Sequence, residues 1–274
     1  MPNQSNCFFV PFVGEKYKKG INGKKVLVVG ASFYCDKHDC PYFSDCTSPE
    51  KKDSSYYNTI CPEYVKHGAE LKFEPRYAIE ENYHAYQRFE KLMREVVGSD
   101  LENIWEHIAF NNYVQFFIPT KNTYKNYLSD RDFEAFIETL VELQPDLVIS
   151  WGMVTIDDVR TNNIYVIDKE KLPNSEWYIC HLKVPDINHY ITLFCCFHPS
   201  SKSWDEDFDK CAKYLRLVID PENMKTSDFK PKAISSMLDV SPSYISIMRI
   251  EMLKKLFNEQ GKAKEFDALI QDIY

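Results

Sequence analysis

Three short strings place polar chemistry directly at the end of apolar runs. They are Gly30-Ala31-Ser32-Phe33-Tyr34 after Val26 to Val29, Asn111-Asn112-Tyr113-Val114-Gln115 after Ile108 to Phe110, and His198-Pro199-Ser200 at the close of Tyr190 to Phe197. A strand that ends in Gly, Asn or His-Pro-Ser has stopped packing and started presenting polar groups. In an open α/β sheet the loops at the carboxyl ends of strands converge on one crevice. The sequence therefore predicts one pocket shared by a close-approaching backbone loop at Gly30 and Ala31, the Asn112 carboxamide and the His198 imidazole. Asn carries both a donor and an acceptor, so it pairs with a uracil-like base edge. When an N-glycosidic bond breaks, negative charge develops on the departing base, and a histidine donor aimed at its oxygen stabilises that charge. Phe33 or Tyr34 would wall the ring, and Ser200 with Ser201 would hold phosphates through hydroxyl and backbone donors. Each string alone is commonplace; their order and shared placement carry the expectation.

The elements that must position these strings read as alternating strands and helices. Val26 to Val29 is a buried strand by pattern. Tyr83, Tyr86, Phe89, Leu92, Met93, Val96 and Val97 recur at helical spacing, with Gly98 as C-cap. Ser129 and Asp132 form a capping-box-like start for a helix carrying Phe133, Phe136, Ile137, Leu140 and Val141. Asp146 to Ser150 and Tyr190 to Phe197 read as further strands, and Trp204, Phe208, Cys211 and Leu215 mark another amphipathic helix. This alternation implies a mainly parallel sheet with helices on both faces. Residues 1–222 are expected to form this α/β domain, and residues 223–274 a C-terminal helical extension. In that extension Ile234, Met237 and Leu238, the turn Asp239-Val240-Ser241 and then Ile245, Met248 and Met252 have the spacing of a helix-turn-helix, or of a helical hairpin packed on the main domain.

The chain has 274 residues, 44% of them hydrophobic, which is ample for one large core. Its formal charge of -8 argues against a nonspecific phosphate-binding coat, which would be basic. Lys121, Lys125, Lys202 and Lys210 are candidates for a local basic patch, and equally read as ordinary solvated lysines. No apolar run approaches the ~18 residues of a membrane span. Met1 to Phe12 shows no basic stretch leading into an apolar one, so a cytoplasmic location is expected. There are nine cysteines, an odd number that argues against a disulfide framework. Cys180, Cys195, Cys196 and Cys211 read as small core residues. Cys35, Cys40, Cys46 and Cys61 lie with His38 in a polar segment of about residues 35–75, readable as a zinc or iron-sulfur clip or as a set of free thiols.

The three strings, with Pro145-Asp146-Leu147-Val148-Ile149-Ser150-Trp151-Gly152 between the second and third, resemble the motifs of the uracil-DNA glycosylase superfamily. Gly30 to Tyr34 is similar to its first motif, Asn111 to Val114 to its base-reading segment, and His198 to Ser200 to its His-Pro-Ser motif; the likeness runs in order from Lys24 to Trp204. The resemblance implies a three-layer α/β/α fold around a mainly parallel four-stranded sheet and no organic cofactor. It also implies DNA, or a nucleotide or nucleobase ligand, as partner. Carried over residue by residue, it makes His198 and Ser32 catalytic, and Gly30, Ala31, Phe33, Tyr34, Asn112, Ser200 and Ser201 substrate-binding. Ser32 is a departure: the best-known branch has an Asp there that orients or activates water, and serine is a poor base at neutral pH. Asp36 and His38 lie near enough in sequence to substitute. Two functions of different class follow, a glycosylase that excises uracil or a modified base and a non-catalytic nucleic-acid or nucleotide-binding protein on the same fold. The negative charge also allows a third, hydrolysis of a free nucleotide or nucleoside.

If the cysteine-rich segment is a metal clip, elemental analysis of the purified protein finds about one zinc or one cluster per chain. Folded protein without metal assigns Cys35, Cys40, Cys46 and Cys61 to the free-thiol reading.

Overall fold

A computed structural model of the chain describes residues 6–7, 9–34, 38–39, 41, 43–46, 83–98, 101, 103–118, 124–152, 166–171 and 178–219. Within them the strands are β1 (Phe12–Val13), β2 (Val26–Tyr34), β3 (Ile108–Ile118), β4 (Leu147–Trp151), β5 (Val166–Lys171), β6 (Tyr178–Leu182) and β7 (Ile191–Cys196). The longer helices are α1 (His84–Val97), α2 (Asp130–Leu143) and α3 (Trp204–Ile219). The strands form one mixed sheet of seven, in the order β1-β3-β2-β4-β7-β6-β5, where four strands are expected from the sequence. The additional strands are a two-residue antiparallel partner on the β3 edge and the β5–β6 pair beside β7. All three are short or polar in pattern and carry little signal of their own. β3, β2, β4 and β7 pair in parallel.

Both faces of β2 are buried, which is why its sequence is an unbroken apolar run rather than an alternating one. Leu27 and Val29 pack with Ala109, Val148 and Phe133, Phe136 and Leu140 of α2. Val26 and Val28 point the other way, to Phe89, Leu92 and Met93 of α1 and Leu215 of α3. α1 begins after Tyr83 and ends at Gly98, whose φ of 82° is the positive value that favours glycine. α2 ends at Gln144, in the left-handed region just before Pro145. Among the described residues no helix is long and apolar enough to cross a membrane.

Two of the three strings do not follow their strands; they lie inside them. β2 runs through Gly30 to Tyr34, and β3 runs through Asn111 to Ile118. The expected close-approaching loop at Gly30 is thus strand, paired Gly30 to Asn112 and Ser32 to Val114. Only His198 stands past the end of its strand, β7. The segment of residues 47–82, which holds Cys61, lies outside the described residues, as do Cys35, Asp36, Cys40 and residues 220–274 with the helix-turn-helix-like stretch. Cys46 closes a helical turn at Phe43–Cys46, and the His38 ring lies against Phe43 at 4.4 Å.

Asn and Gln are poor strand formers, so β3 needs local help to extend past Phe110. β1 pairs only as far as Phe12 opposite Phe110, and Pro11, next along, has no N–H to donate. Side chains take over the edge. Gln115 Oε1 accepts the Phe9 N–H at 3.0 Å, Gln115 Nε2 donates to the Asn112 carbonyl at 2.8 Å, and Asn111 Oδ1 accepts the Asn112 N–H at 2.9 Å. The Gln115 N–H donates to Asp132 Oδ1 at 2.7 Å, while Asp132 Oδ2 accepts the Ser129 N–H at 2.8 Å and lies 3.1 Å from its hydroxyl. Asp132 is therefore both the capping residue of α2 and a buried anchor for β3. Asp132→Ala removes a cap and leaves a buried N–H unpaired, and is expected to cost about 2–4 kcal/mol in urea unfolding. Ser129→Ala, which touches only the helix end, is expected to cost about 1 kcal/mol; equal costs for the two would contradict the anchoring role.

Candidate functional site

The chain leaves β2 toward β3 on one side and leaves β4 toward β7 on the other, so the sheet changes direction between β2 and β4. A crevice at the carboxyl ends of strands opens at such a switch point, and ligands of open α/β sheets bind there. The residues at this level are Asn112 on β3, Gly30 and Ser32 on β2, Trp151 and Gly152 at the end of β4, and His198 beyond β7.

Alternation along β2 sorts the first string by face. Ala31 and Phe33 pack with the α2 side of the core, and the Phe33 ring meets Phe9 edge-on at 4.4 Å. Strand pleating turns Ala31 and Phe33 to the face opposite Asn112, so the structure does not bring these two side chains together with its carboxamide. Gly30 and Ser32 face the α1 side with Val28. Tyr34, at the strand end, is 39% exposed.

Gly30 is a glycine because of Asn112. A Cβ at Gly30 would overlap Asn112 Oδ1 and lie 3.2 Å from Phe110 Cζ. The space expected to admit a ligand to the backbone is filled by the Asn112 carboxamide, which leans off β3 across β2 toward β4 and β7. Its backbone is held at both polar atoms by Asn111 and Gln115, so the amide leans from a fixed base. Asn112 is 6% exposed. The Ser32 hydroxyl, equally buried, has no hydrogen-bond partner among the described residues.

Trp151 forms the floor between Asn112 and His198. Its ring lies 5.3 Å from Phe110, 5.1 Å from Tyr86 and 5.2 Å from Phe89. On its far side it meets His198 at 5.7 Å with the rings at 81°. Burying a side chain of this size removes about 150–250 Å² from water. β2 and β7 are two strand spacings apart, about 10 Å, a width that suits one planar ring hydrogen-bonded on opposite edges.

The histidine is oriented by its own turn. The Ser200 N–H donates to His198 Nδ1 at 3.2 Å, and the Ser200 hydroxyl lies 2.7 Å from the same nitrogen. A backbone N–H can only donate, so Nδ1 is the acceptor and the proton of the neutral ring sits on Nε2. Ser200 thus serves His198, where a phosphate contact is expected from sequence. The Ser201 N–H donates to the His198 carbonyl at 2.8 Å, closing the turn, and its hydroxyl is buried without a partner. Gly152 turns β4 away with a φ of 86° and donates its N–H to the Cys196 carbonyl at 2.7 Å.

Two titratable groups near the site are shifted by burial. Burial, then the charge of Tyr83, raises the Tyr86 phenol well above its ordinary range. Burial, then a hydrogen bond with Cys196, does the same for the Cys211 thiol. Among the described residues no group of three or more His, Cys, Asp or Glu side chains is placed to hold a metal. Of the lysines proposed as a basic patch, Lys125, Lys202 and Lys210 are exposed, and Lys210 pairs with Asp207 at 3.1 Å. Sequence reasoning missed Trp151, which was legible only as the end of a strand. It also missed Arg88, a helix residue with no motif around it, whose guanidinium reaches the Pro199 and Ser201 carbonyls. No protein-family model matches the chain, and no curated protein matches it in sequence.

The account of Gly30 makes a test independent of any activity. Gly30→Ala must displace the Asn112 carboxamide and is expected to cost about 1–3 kcal/mol in denaturant unfolding. Adding Asn112→Ala removes the obstruction, so the double variant recovers most of that loss in a double-mutant cycle. Additive costs would contradict the contact.

Proposed function

We propose that the chain is a DNA glycosylase-like protein that takes uracil or a modified base out of the duplex and hydrolyses its N-glycosidic bond. The observation that carries the reading is a pair of polar groups with opposite duties on one face of the sheet. Asn112 offers a donor and an acceptor from one side, and His198 offers an Nε2 donor, fixed by Ser200, from the other. The base is read at its edge by Asn112 and lies over Trp151. As the bond to the sugar lengthens, charge moves onto a base oxygen, where the neutral His198 donates without having to lose its own proton. Ser32, with a buried hydroxyl lacking a partner, is the polar group of β2 nearest in level and stands to orient water rather than deprotonate it. The parallel pairing of β3, β2, β4 and β7, with α1 and α3 packing with one side and α2 with the other, supports a three-layer α/β/α core of the kind the resemblance implies.

A second reading is a binding protein of the same fold that holds a base, nucleotide or DNA without cleaving it. Ser32 favours it, because a hydroxyl occupies the place of a water-activating carboxylate. Incubation with DNA carrying uracil or modified bases, scored for abasic sites, separates the two. The glycosylase reading expects excision of at least one base. It expects His198→Ala to slow that excision by on the order of 100- to 1,000-fold with DNA binding nearly intact. Asn112→Ala is expected to weaken selection and cleavage together, since the edge contacts form before the bond breaks. DNA binding with every base left in place supports the second reading. Wild-type rates in His198→Ala would remove His198 from the chemistry.

A further inference from the structure

The turn that carries His198 is not held by its own backbone alone. Arg88, on α1, sends its guanidinium under the turn. Nη1 donates to the Pro199 carbonyl at 2.7 Å and to the Ser201 carbonyl at 3.2 Å, and Nη2 pairs with Asp205 in the first turn of α3. The Arg88 side chain is 15% exposed and that of Asp205 78%, so solvent screens the carboxylate end of the pair and the two carbonyl contacts carry the grip. Those two carbonyls flank Ser200, the residue whose N–H and hydroxyl both meet His198 Nδ1. The Pro199 carbonyl and the Ser200 N–H belong to one peptide plane, so fixing that carbonyl fixes the direction of the N–H, and that N–H decides which ring nitrogen keeps the proton.

We propose that Arg88 is a positioning residue for His198: it grips the Pro199 and Ser201 carbonyls, aims Ser200 at Nδ1, and so holds the imidazole as the Nε2–H donor. The value of that donor to a departing base rests on the glycosylase reading; the coupling of Arg88 to the ring does not. The planar fork is essential. A lysine keeps a positive charge for Asp205 but cannot meet two carbonyls and a carboxylate at fixed angles. Asp205 is part of the same device, since without it the guanidinium is free to turn away from the carbonyls.

The test is the tautomer of His198 in the full-length chain, read from long-range proton–nitrogen NMR of histidine side chains, with the signal assigned by its loss in His198→Ala. The wild-type ring is expected to show the Nε2–H pattern. Arg88→Lys is expected to move it toward a mixture of tautomers, Ser200→Ala to move it the same way, and Asp205→Asn to produce a smaller shift in that direction. If Arg88→Ala fails to fold, Arg88→Lys and Asp205→Asn still decide the matter. An unchanged His198 pattern in both overturns the proposal. Where excision is measurable, Arg88→Lys is expected to lower kcat, by up to on the order of 100-fold, and to leave KM nearly unchanged. A tautomer shift in a protein that excises no base keeps the positioning role and discards the glycosylase reading, so the two failures are distinguishable.

Discussion

Among the described residues no strand pairs with the outer edge of β3 beyond Phe110, yet Asn111 to Gln115 are buried. Unpaired amides there would each cost about 1–3 kcal/mol. Gln115 and Asp132 meet this need with side chains, Asp132 from the start of α2 and Gln115 from the strand itself. The Asn112 side of the proposed site follows from that substitution. Because Asn112 is held at its N–H and carbonyl by Asn111 and Gln115, its carboxamide projects over β2 from a fixed point. Because it projects there, residue 30 must be glycine. The sheet changes direction between β2 and β4, next to the strand over which the amide lies.

The far side of the crevice is built by a different device with the same logic. A turn holds His198 through Ser200, and the turn is in turn tied to α1 and α3 by Arg88 and Asp205. Trp151 joins the two halves: it touches Phe110, beneath Gly30, and the His198 ring. The polar groups presented are a carboxamide, a hydroxyl and a neutral imidazole. On the proposed reading, such a set distinguishes one uncharged ring from another by hydrogen-bond pattern. That agrees with a chain whose overall charge of -8 gives no general attraction for nucleic acid.

Much of the scaffold was legible from local rules. The helix ending at Gly98, the capping pair Ser129 and Asp132, and the strands around Val26, Leu147 and Ile191 all follow from apolar spacing and cap chemistry. The strand ends were misplaced because Gly30 and Asn111-Asn112 look like breakers, and the forces that keep them in strands are long-range. A glycine signals close approach without saying what approaches. The faces of Ala31 and Phe33 were missed for the same reason: had the strand been extended, its period of two would have turned them away from Gly30. The edge strand β5 is polar in pattern, and its neighbour β6 is only five residues long, so neither stands out alone. Arg88 was invisible because its partners are main-chain carbonyls more than a hundred residues away, which no side-chain motif reports.

The site proposed for an uncharged base is lined by Asn112, Ser32, Trp151 and His198. The most direct measurement is an NMR titration of the protein with free uracil, following the Asn112 side-chain amide, the Ser32 backbone amide, the Trp151 indole N–H and the His198 ring. The account predicts that these signals shift together along one saturating curve, and that Asn112→Ala abolishes the curve at His198 as well. Shifts confined to other parts of the sheet, or His198 responding unchanged in Asn112→Ala, would contradict it.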